Sequence, residues 1–427
     1  MENIDPILER RYRVLGPNAP LLYERPVHLV RGEGVWVYDA DGRRYLDAYN
    51  NVPHVGHCHP RVVAALARQA GILNTHTRYL DEHIIAYAEQ LLGYFDRTLS
   101  RIMFCCTGSE ANELALRIAR ECTGGMGVIV TDYAYHGNTA ALWQVSPLFA
   151  PTYKRGPNVR TVPAMDPYRE GEGMSEEELA SRYAEDVRRA IVSFTAEGIR
   201  VAGLLFCTCF SSEGLPTVPP GFMPKALAYI RAAGGLFIAD EVQAGFGRLG
   251  THMWGHQKLG VVPDLVTLGK PMGNGHPLAA VVTRAELCDR FTSETMYFNT
   301  FGGNAVSAEV GMAVLQVLQE EGLITHAQQV GEYTCQRLSE LKERHSLVGD
   351  VRGSGLFFAV ELVRDRGSKA PAPEQTKLLV NRMREHGVLI SRVGPHGNVL
   401  KIRPPMVFRR EHADLLVDVL DRVLGTL

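Results

Sequence analysis

The sequence predicts an α/β protein in which a large unit, built on a mostly parallel sheet covered by helices, is followed by a smaller α+β unit. Three observations carry this expectation. From about residue 60 to residue 283, short apolar runs alternate with helix-patterned segments, the signature of βα units. Residues 307 to 345 then carry apolar positions at helical spacing, interrupted near Gly322, which predicts two consecutive helices. Beyond them, the strand-like runs GLFFAVELV and NVLKIRP flank a helix-like segment around TKLLVNRMREHG.

Taken in chain order, GVWVYDADGRRYLD (34 to 47) alternates apolar and polar residues on both sides of Asp41-Gly42, which predicts an antiparallel hairpin. HPRVVAALARQA predicts a helix and RIMFC a strand, and SEANELALRIARE is a second helix. GVIVT and VAGLLFC follow as strands, then PKALAYIRAAG as a helix, then GLFIA, DLVTL and LAAVVT as strands. DRGSKAPAPEQ has the composition of a surface loop. The expected division is an N-terminal segment (1–56) bearing the hairpin and joining the small domain, a large domain (57–325) and a C-terminal small domain (326–427).

The 427 residues are 45% hydrophobic and 22% charged with a formal net charge of -2, an ordinary globular balance. A chain so close to neutral offers no basic stripe for nucleic acid and no polybasic segment for a membrane surface, which leaves small molecules as the expected partners. No apolar run approaches the roughly 18 residues of a membrane span, and MENIDPILERRYRV lacks the apolar core of a signal peptide, so a cytoplasmic protein is expected. The eight cysteines show no CxxC spacing and read as reduced thiols. Cys207 and Cys209, one residue apart at the end of a strand, are expected to face opposite ways.

Asp240 ends the run GLFIAD, and Lys270 follows DLVTL. Ligands of open parallel sheets bind outside the carboxyl ends of the strands, so both groups are expected at one crevice. A desolvated lysine there is a nucleophile able to form a Schiff base with a carbonyl; a lone lysine could equally snorkel, and Asp240 could cap a helix. In FCCTGSEANELALRIAR, Thr107, Gly108 and Ser109 stand between a strand and a helix, a place suited to a phosphate, although Ser109 as a plain N-cap is the simpler reading. Tyr135, in DYAYHG after GVIVT, could stack on a planar ring or simply fill the core.

Two further patterns point away from chemistry. GFGRLG (Gly245, Gly247, Gly250) matches a dinucleotide fingerprint but lacks the preceding strand and following helix that such a site needs. His54, His57 and His59 have metal-ligand spacing, yet lie in a loop bearing Pro and Gly and read as structural; no metal is expected.

An Asp ending one strand, a Lys after the next, a TGSEAN helix start, a YHG segment, DEVQAGFGR and LGKPMGNGHP together resemble the class III aminotransferases, pyridoxal-phosphate enzymes of fold type I. The resemblance spans nearly the whole chain. It implies a large domain with a mostly parallel seven-stranded sheet, pyridoxal 5'-phosphate as cofactor and a homodimer with shared active sites. By resemblance, Lys270 is the covalent anchor and proton carrier, and Asp240 the partner of the pyridinium nitrogen. Gly108 and Ser109 hold the cofactor phosphate, Tyr135 covers the ring with His136 beside it, Gln243 reaches the phenolic oxygen, and Thr300 in FNTFGG extends to the phosphate bound by the other subunit. The same resemblance accounts for GFGRLG as part of DEVQAGFGR.

Many family members carry a Glu-Pro pair whose Glu partners an Arg lying three residues before a Pro-Pro. Aligned on PPGF, those two positions are Cys207 and Lys401. A cysteine gives no counter-charge and a lysine no planar fork, which weakens the case for transamination with 2-oxoglutarate. NNVPHVGHCHP, ILNTHTRYL, YFNTFGGN and GPHGNVLKIRPPM resemble instead the phospholyase branch, which eliminates phosphate and ammonia from 1,2-aminoalkyl phosphates such as O-phosphoethanolamine. A dianionic leaving group calls for cations, for which Arg78 and Lys401 are the candidates and Arg403 a lesser one. Arg78 could as well be structural. CFSSEGLPTVPPGF departs from both branches, and an amine or ω-amino acid transaminase using pyruvate or another 2-oxo acid stays open.

Overall fold

A computed structural model describes residues 6–17, 19–149 and 155–427. Its central sheet has seven strands in the order Arg101–Cys105, Ala279–Thr283, Leu265–Leu268, Leu236–Asp240, Val201–Cys207, Gly127–Thr131, Val159–Val162. All neighbours are parallel except Ala279–Thr283, which runs against both of its partners. The interior strands read as unbroken apolar runs because both faces are covered: every residue of Val201–Cys207, Gly127–Thr131 and Ala279–Thr283 is buried.

The hairpin forms around Asp41-Gly42, pairing Trp36–Asp39 with Arg44–Asp47. It also reaches across the chain, since Arg44–Asp47 pairs in parallel with Val388–Leu389. A third sheet joins Val348–Ser354, Phe357–Asp365, Val399–Ile402 and Ser391–Val393. The predicted loop DRGSKAPAPEQ holds a two-residue strand, Ala370–Pro371, on the edge of Phe357–Asp365. The two long helices are Ala305–Glu320 and Leu323–Arg344, divided at Gly322 with φ +60°, a conformation that glycine adopts without steric cost. No helix among the described residues is long and apolar enough to cross a membrane.

Candidate active site

The strand directions bring the carboxyl ends of six strands to one edge. Cys105, Thr131, Val162, Cys207, Asp240 and Leu268 end there, and turns after several of them carry the chemistry. Register then sets the details: Cys207 lies opposite Asp240, and Asp240 opposite Thr267. A cavity of about 120 Å³ opens at this edge, and Gly108, Ser109, Tyr135, His136 and Gln243 line it together with Cys207, Asp240 and Lys270.

Asp240 is buried and fully bonded. Its Oδ1 accepts from the Val242 N–H at 3.0 Å, which turns the chain out of the strand. Oδ2 accepts from His136 Nδ1 at 2.7 Å and from Asn112 Nδ2 at 3.0 Å. Asn112 is itself fixed, donating to the His136 carbonyl at 2.8 Å and accepting from Thr267 Oγ1 at 2.7 Å. A carboxylate so surrounded by donors keeps a fixed orientation and can present negative charge to a ring nitrogen. His136 Nε2 is buried and has no partner within the described residues.

The helix Gly108–Thr123 begins with a capping box, Thr107 accepting from the Glu110 N–H while Glu110 accepts from the Thr107 N–H. Thr107, rather than Ser109, is therefore the N-cap, which leaves the Ser109 hydroxyl free for the neighbouring turn. Its Oγ accepts from the Asn138 N–H at 3.3 Å. Space is tight: a Cβ at Gly108 would stand 3.0 Å from Val242 Cγ2, and one at Gly137 (φ +146°) 2.7 Å from Ser109 Oγ. Helix N–H groups and hydroxyls converge there as a phosphate requires. Lys270 opens a short 3-10 turn after the strand Leu265–Leu268. Burial and then the positive charge of Arg403 push its pKa below the ordinary lysine value, with Asp240 opposing, so a neutral amine is brought towards reach.

Lys401 and Arg403 do not line this cavity; they form a buried cationic group next to its lining residues Gln243 and Lys270. Lys401 is buried, its Nζ 5.7 Å from the centre of the Phe357 ring. Burial and then Arg403 hold its pKa well below the ordinary range, and Lys270 acts in the same direction. Arg403 is also buried; its Nε donates to the Tyr49 carbonyl at 2.9 Å and its Nη1 to Gln243 Oε1. Glu213 feels Lys401, but burial pushes its carboxyl up, and its Oε1 is taken by Thr131 Oγ1. Cys207 and Cys209 do not face opposite ways, because positions two apart along a strand share a face. The strand stops at Cys207, the Phe210 N–H returns to the Cys207 carbonyl at 2.9 Å, and this turn brings the two sulfurs to 3.7 Å.

Arg78 and Thr300 lie outside the cavity, exposed on the surface of this chain, with the Arg78 guanidinium 4.0 Å from the centre of the Phe298 ring. The three loop histidines have separate partners: His54 meets the Phe246 carbonyl, His57 meets Asp47, and His59 meets Glu321. GFGRLG is a run of turns in which buried Arg248 donates to the Leu356 and Pro404 carbonyls and to His54, its pKa lowered to about 9 chiefly by burial. Asn112, Thr267, Arg248 and Glu213 are thus site or support residues that sequence reasoning passed over. Asn112 had a signal, standing one helical turn beyond Ser109 on the phosphate-facing helix.

The match to known proteins agrees with this geometry. The family model described as "Aminotransferase class-III" matches residues 22–424. The solved structure of a phospholyase from Arthrobacter in complex with phosphoethanolamine is 50% identical, with a TM-score of 0.96, covering 99% of this chain and 100% of that one. The Drosophila melanogaster protein named alanine--glyoxylate aminotransferase 2-like is 40% identical, over 95% of this chain and 84% of its own length. The Caenorhabditis elegans ethanolamine-phosphate phospho-lyase homolog 1 is 36% identical, over 98% and 93%. A family match over almost the whole chain, on a sheet edge carrying Asp240 and Lys270, means that this protein belongs to the class III aminotransferases and is a pyridoxal-phosphate-dependent enzyme.

Proposed function

We propose that the enzyme eliminates phosphate and ammonia from a small 1,2-aminoalkyl phosphate, with O-phosphoethanolamine the leading substrate. One observation carries this reading: Lys401 is buried next to two other cations, where the family's transaminases place an arginine paired with a glutamate. A buried group of basic side chains that hold one another's pKa down is costly to charge alone and well suited to receive a dianion. Because its surroundings hold the Lys401 pKa down, an arriving phosphate supplies the counter-charge and draws a proton onto Nζ, so binding and protonation are coupled. The likeness to the Arthrobacter phospholyase supports the same reading.

In this proposal the cofactor fits the cavity through this chain's own groups. Gly108 and Ser109 take its phosphate, Tyr135 and His136 its ring, Gln243 its phenolic oxygen and Asp240 its ring nitrogen. The unpartnered His136 Nε2 and the cradle that a Cβ at Gly108 would crowd both favour an occupant there. When bound, pyridoxal phosphate supplies an electron sink for a substrate carbanion. Lys270 takes the proton from the carbon bearing the amine, and Lys401 steadies the phosphate as the bond from the β-carbon to oxygen breaks. Hydrolysis of the remainder gives an aldehyde and ammonia.

We also read the enzyme as a cytoplasmic homodimer, divided at residues 57 and 326 as the sequence suggests. Eight free cysteines support the compartment. Leu80 is 99% exposed and Met296 82% exposed beside Arg78, Phe298 and Thr300, an apolar surface suited to a second copy. Arg78 and Thr300 would then act across the interface, Thr300 on the neighbouring cofactor phosphate and Arg78 on the substrate. Incubation of the holoenzyme with O-phosphoethanolamine is expected to release phosphate. No release, together with alanine formation from an amine and pyruvate, would establish the transaminase alternative instead.

A further inference from the structure

We infer that Cys207, which lines the catalytic cavity, and its neighbour Cys209 form a reversible oxidation site, closing to a disulfide on reaction with a hydroperoxide. Elimination has no use for these thiols, yet the fold brings them together. Their sulfurs stand 3.7 Å apart and, among the described residues, are the one pair in contact. The arrangement is built by backbone: the Phe210 N–H closes a turn on the Cys207 carbonyl, and Phe210 holds φ +46° to complete it. A disulfide needs a separation of about 2.05 Å, so each sulfur has to travel less than about 1 Å.

Access and charge favour reaction here. Cys207 lines the cavity, whereas Cys105 is buried against the Tyr297 hydroxyl. Hydrogen bonding from Cys209 lowers the pKa of Cys207, while burial and then Cys207 hold the Cys209 thiol well above its ordinary value, so Cys207 is the attacking sulfur and Cys209 the resolving thiol. Thiolate character and a nearby resolving thiol are what make a cysteine redox-responsive.

The chemistry balances with the hydroperoxide as oxidant. Cys207 Sγ, as thiolate, attacks the peroxide oxygen; the S–O bond forms, the O–O bond breaks, and an alcohol or water leaves with the proton. Cys209 Sγ then attacks Cys207 Sγ, forming the S–S bond and releasing hydroxide, which departs as water with the proton of Cys209. Two thiols and one hydroperoxide give one disulfide, one alcohol or water, and one water. Closure draws the wall in beside Lys401 and Lys270, and sites of this kind tolerate little displacement.

The test is to treat the holoenzyme with hydrogen peroxide, alkylate the remaining thiols and map the peptides. The peptide holding residues 207 to 209 is expected unalkylated and lighter by about two hydrogens, turnover is expected to fall by about tenfold or more, and dithiothreitol should restore both. Cys209→Ser should keep its turnover before peroxide and form no disulfide after it, leaving Cys207 as a sulfenic acid that a dimedone probe labels. Both cysteines found alkylated after peroxide treatment would overturn the proposal, as would a disulfide that leaves turnover unchanged. The peptide map is read whichever reaction the enzyme catalyses and needs no variant to fold. Its outcome is therefore separable from that of the phosphate-release assay.

Discussion

The lining of the cavity around Asp240 and the buried cationic group next to it are electrostatic opposites. On one, Asp240 is met by the Val242 N–H, His136 and Asn112, and Asn112 is in turn anchored by Thr267. On the other, Lys401 and Arg403 stand buried together, with Glu213 pushed towards its neutral form. The first fixes Asp240 by bonds within the chain and leaves the buried His136 Nε2 without a partner among the described residues. The second carries charge that the protein leaves uncompensated, which is costly unless something anionic arrives. A fixed network fits a permanent cofactor and an uncompensated one fits a substrate that comes and goes.

The most severe way to break this contrast is Lys270→Ala, which is expected to reduce turnover by about 10⁴-fold, in the upper range for loss of an acid-base group, and to abolish the visible absorbance of the holoenzyme. Retained absorbance would remove Lys270 from its role. Asp240→Asn comes next, with turnover expected to fall by about 10²-fold to 10³-fold and cofactor binding weakened. The amide replaces a charge and turns a donor towards other donors. Equilibrium dialysis of the cofactor alongside kcat separates these two effects.

Lys401→Met probes the buried cationic group. Loss of a charged hydrogen bond worth about 1.5–3 kcal/mol should lower kcat/KM for an aminoalkyl phosphate by about 10-fold to 100-fold, mostly through KM. Stability should move the other way, because a buried cation has gone. The sign follows from linkage: with the folded pKa of Lys401 below its ordinary 10.5, the unfolded chain binds more protons between the two values, so stability rises with pH through that window. Thermal melts across alkaline pH should show a smaller rise in Lys401→Met than in the parent; an identical rise would mean that Lys401 is not desolvated as described.

The smallest effect is expected from Glu213→Gln. Burial raises the carboxyl above its ordinary 4.5, so the folded state holds the proton longer and stability falls as pH climbs through the raised value. The amide cannot titrate, and the variant should lose this decline while changing stability by no more than about 1 kcal/mol at acidic pH. Denaturant melts between acidic and neutral pH would show it. A parent protein with no such decline would contradict a neutral Glu213.

The legible part of this protein is local in the chain. Hydrophobic runs of strand length separated by helix-patterned segments announced the sheet, and strand ends announced Asp240 and Lys270, because a parallel sheet delivers such ends to one edge. Motif resemblance then supplied the family that the comparisons show.

By itself, then, the sequence determined the class of fold, the family and the residues at the strand ends, since period and motif are properties of neighbours in the chain. Tertiary structure alone decided which groups bond them. His136 reaches Asp240 across 104 positions and Arg403 reaches Gln243 across 160, and no periodicity encodes such separations. The same holds for Arg248, whose guanidinium ties together the segments around residues 54, 356 and 404. For Cys207 and Cys209 alternation itself sets residues two apart on one face, and the turn that ends the strand, closed by a single N–H to carbonyl bond, keeps their two sulfurs in contact.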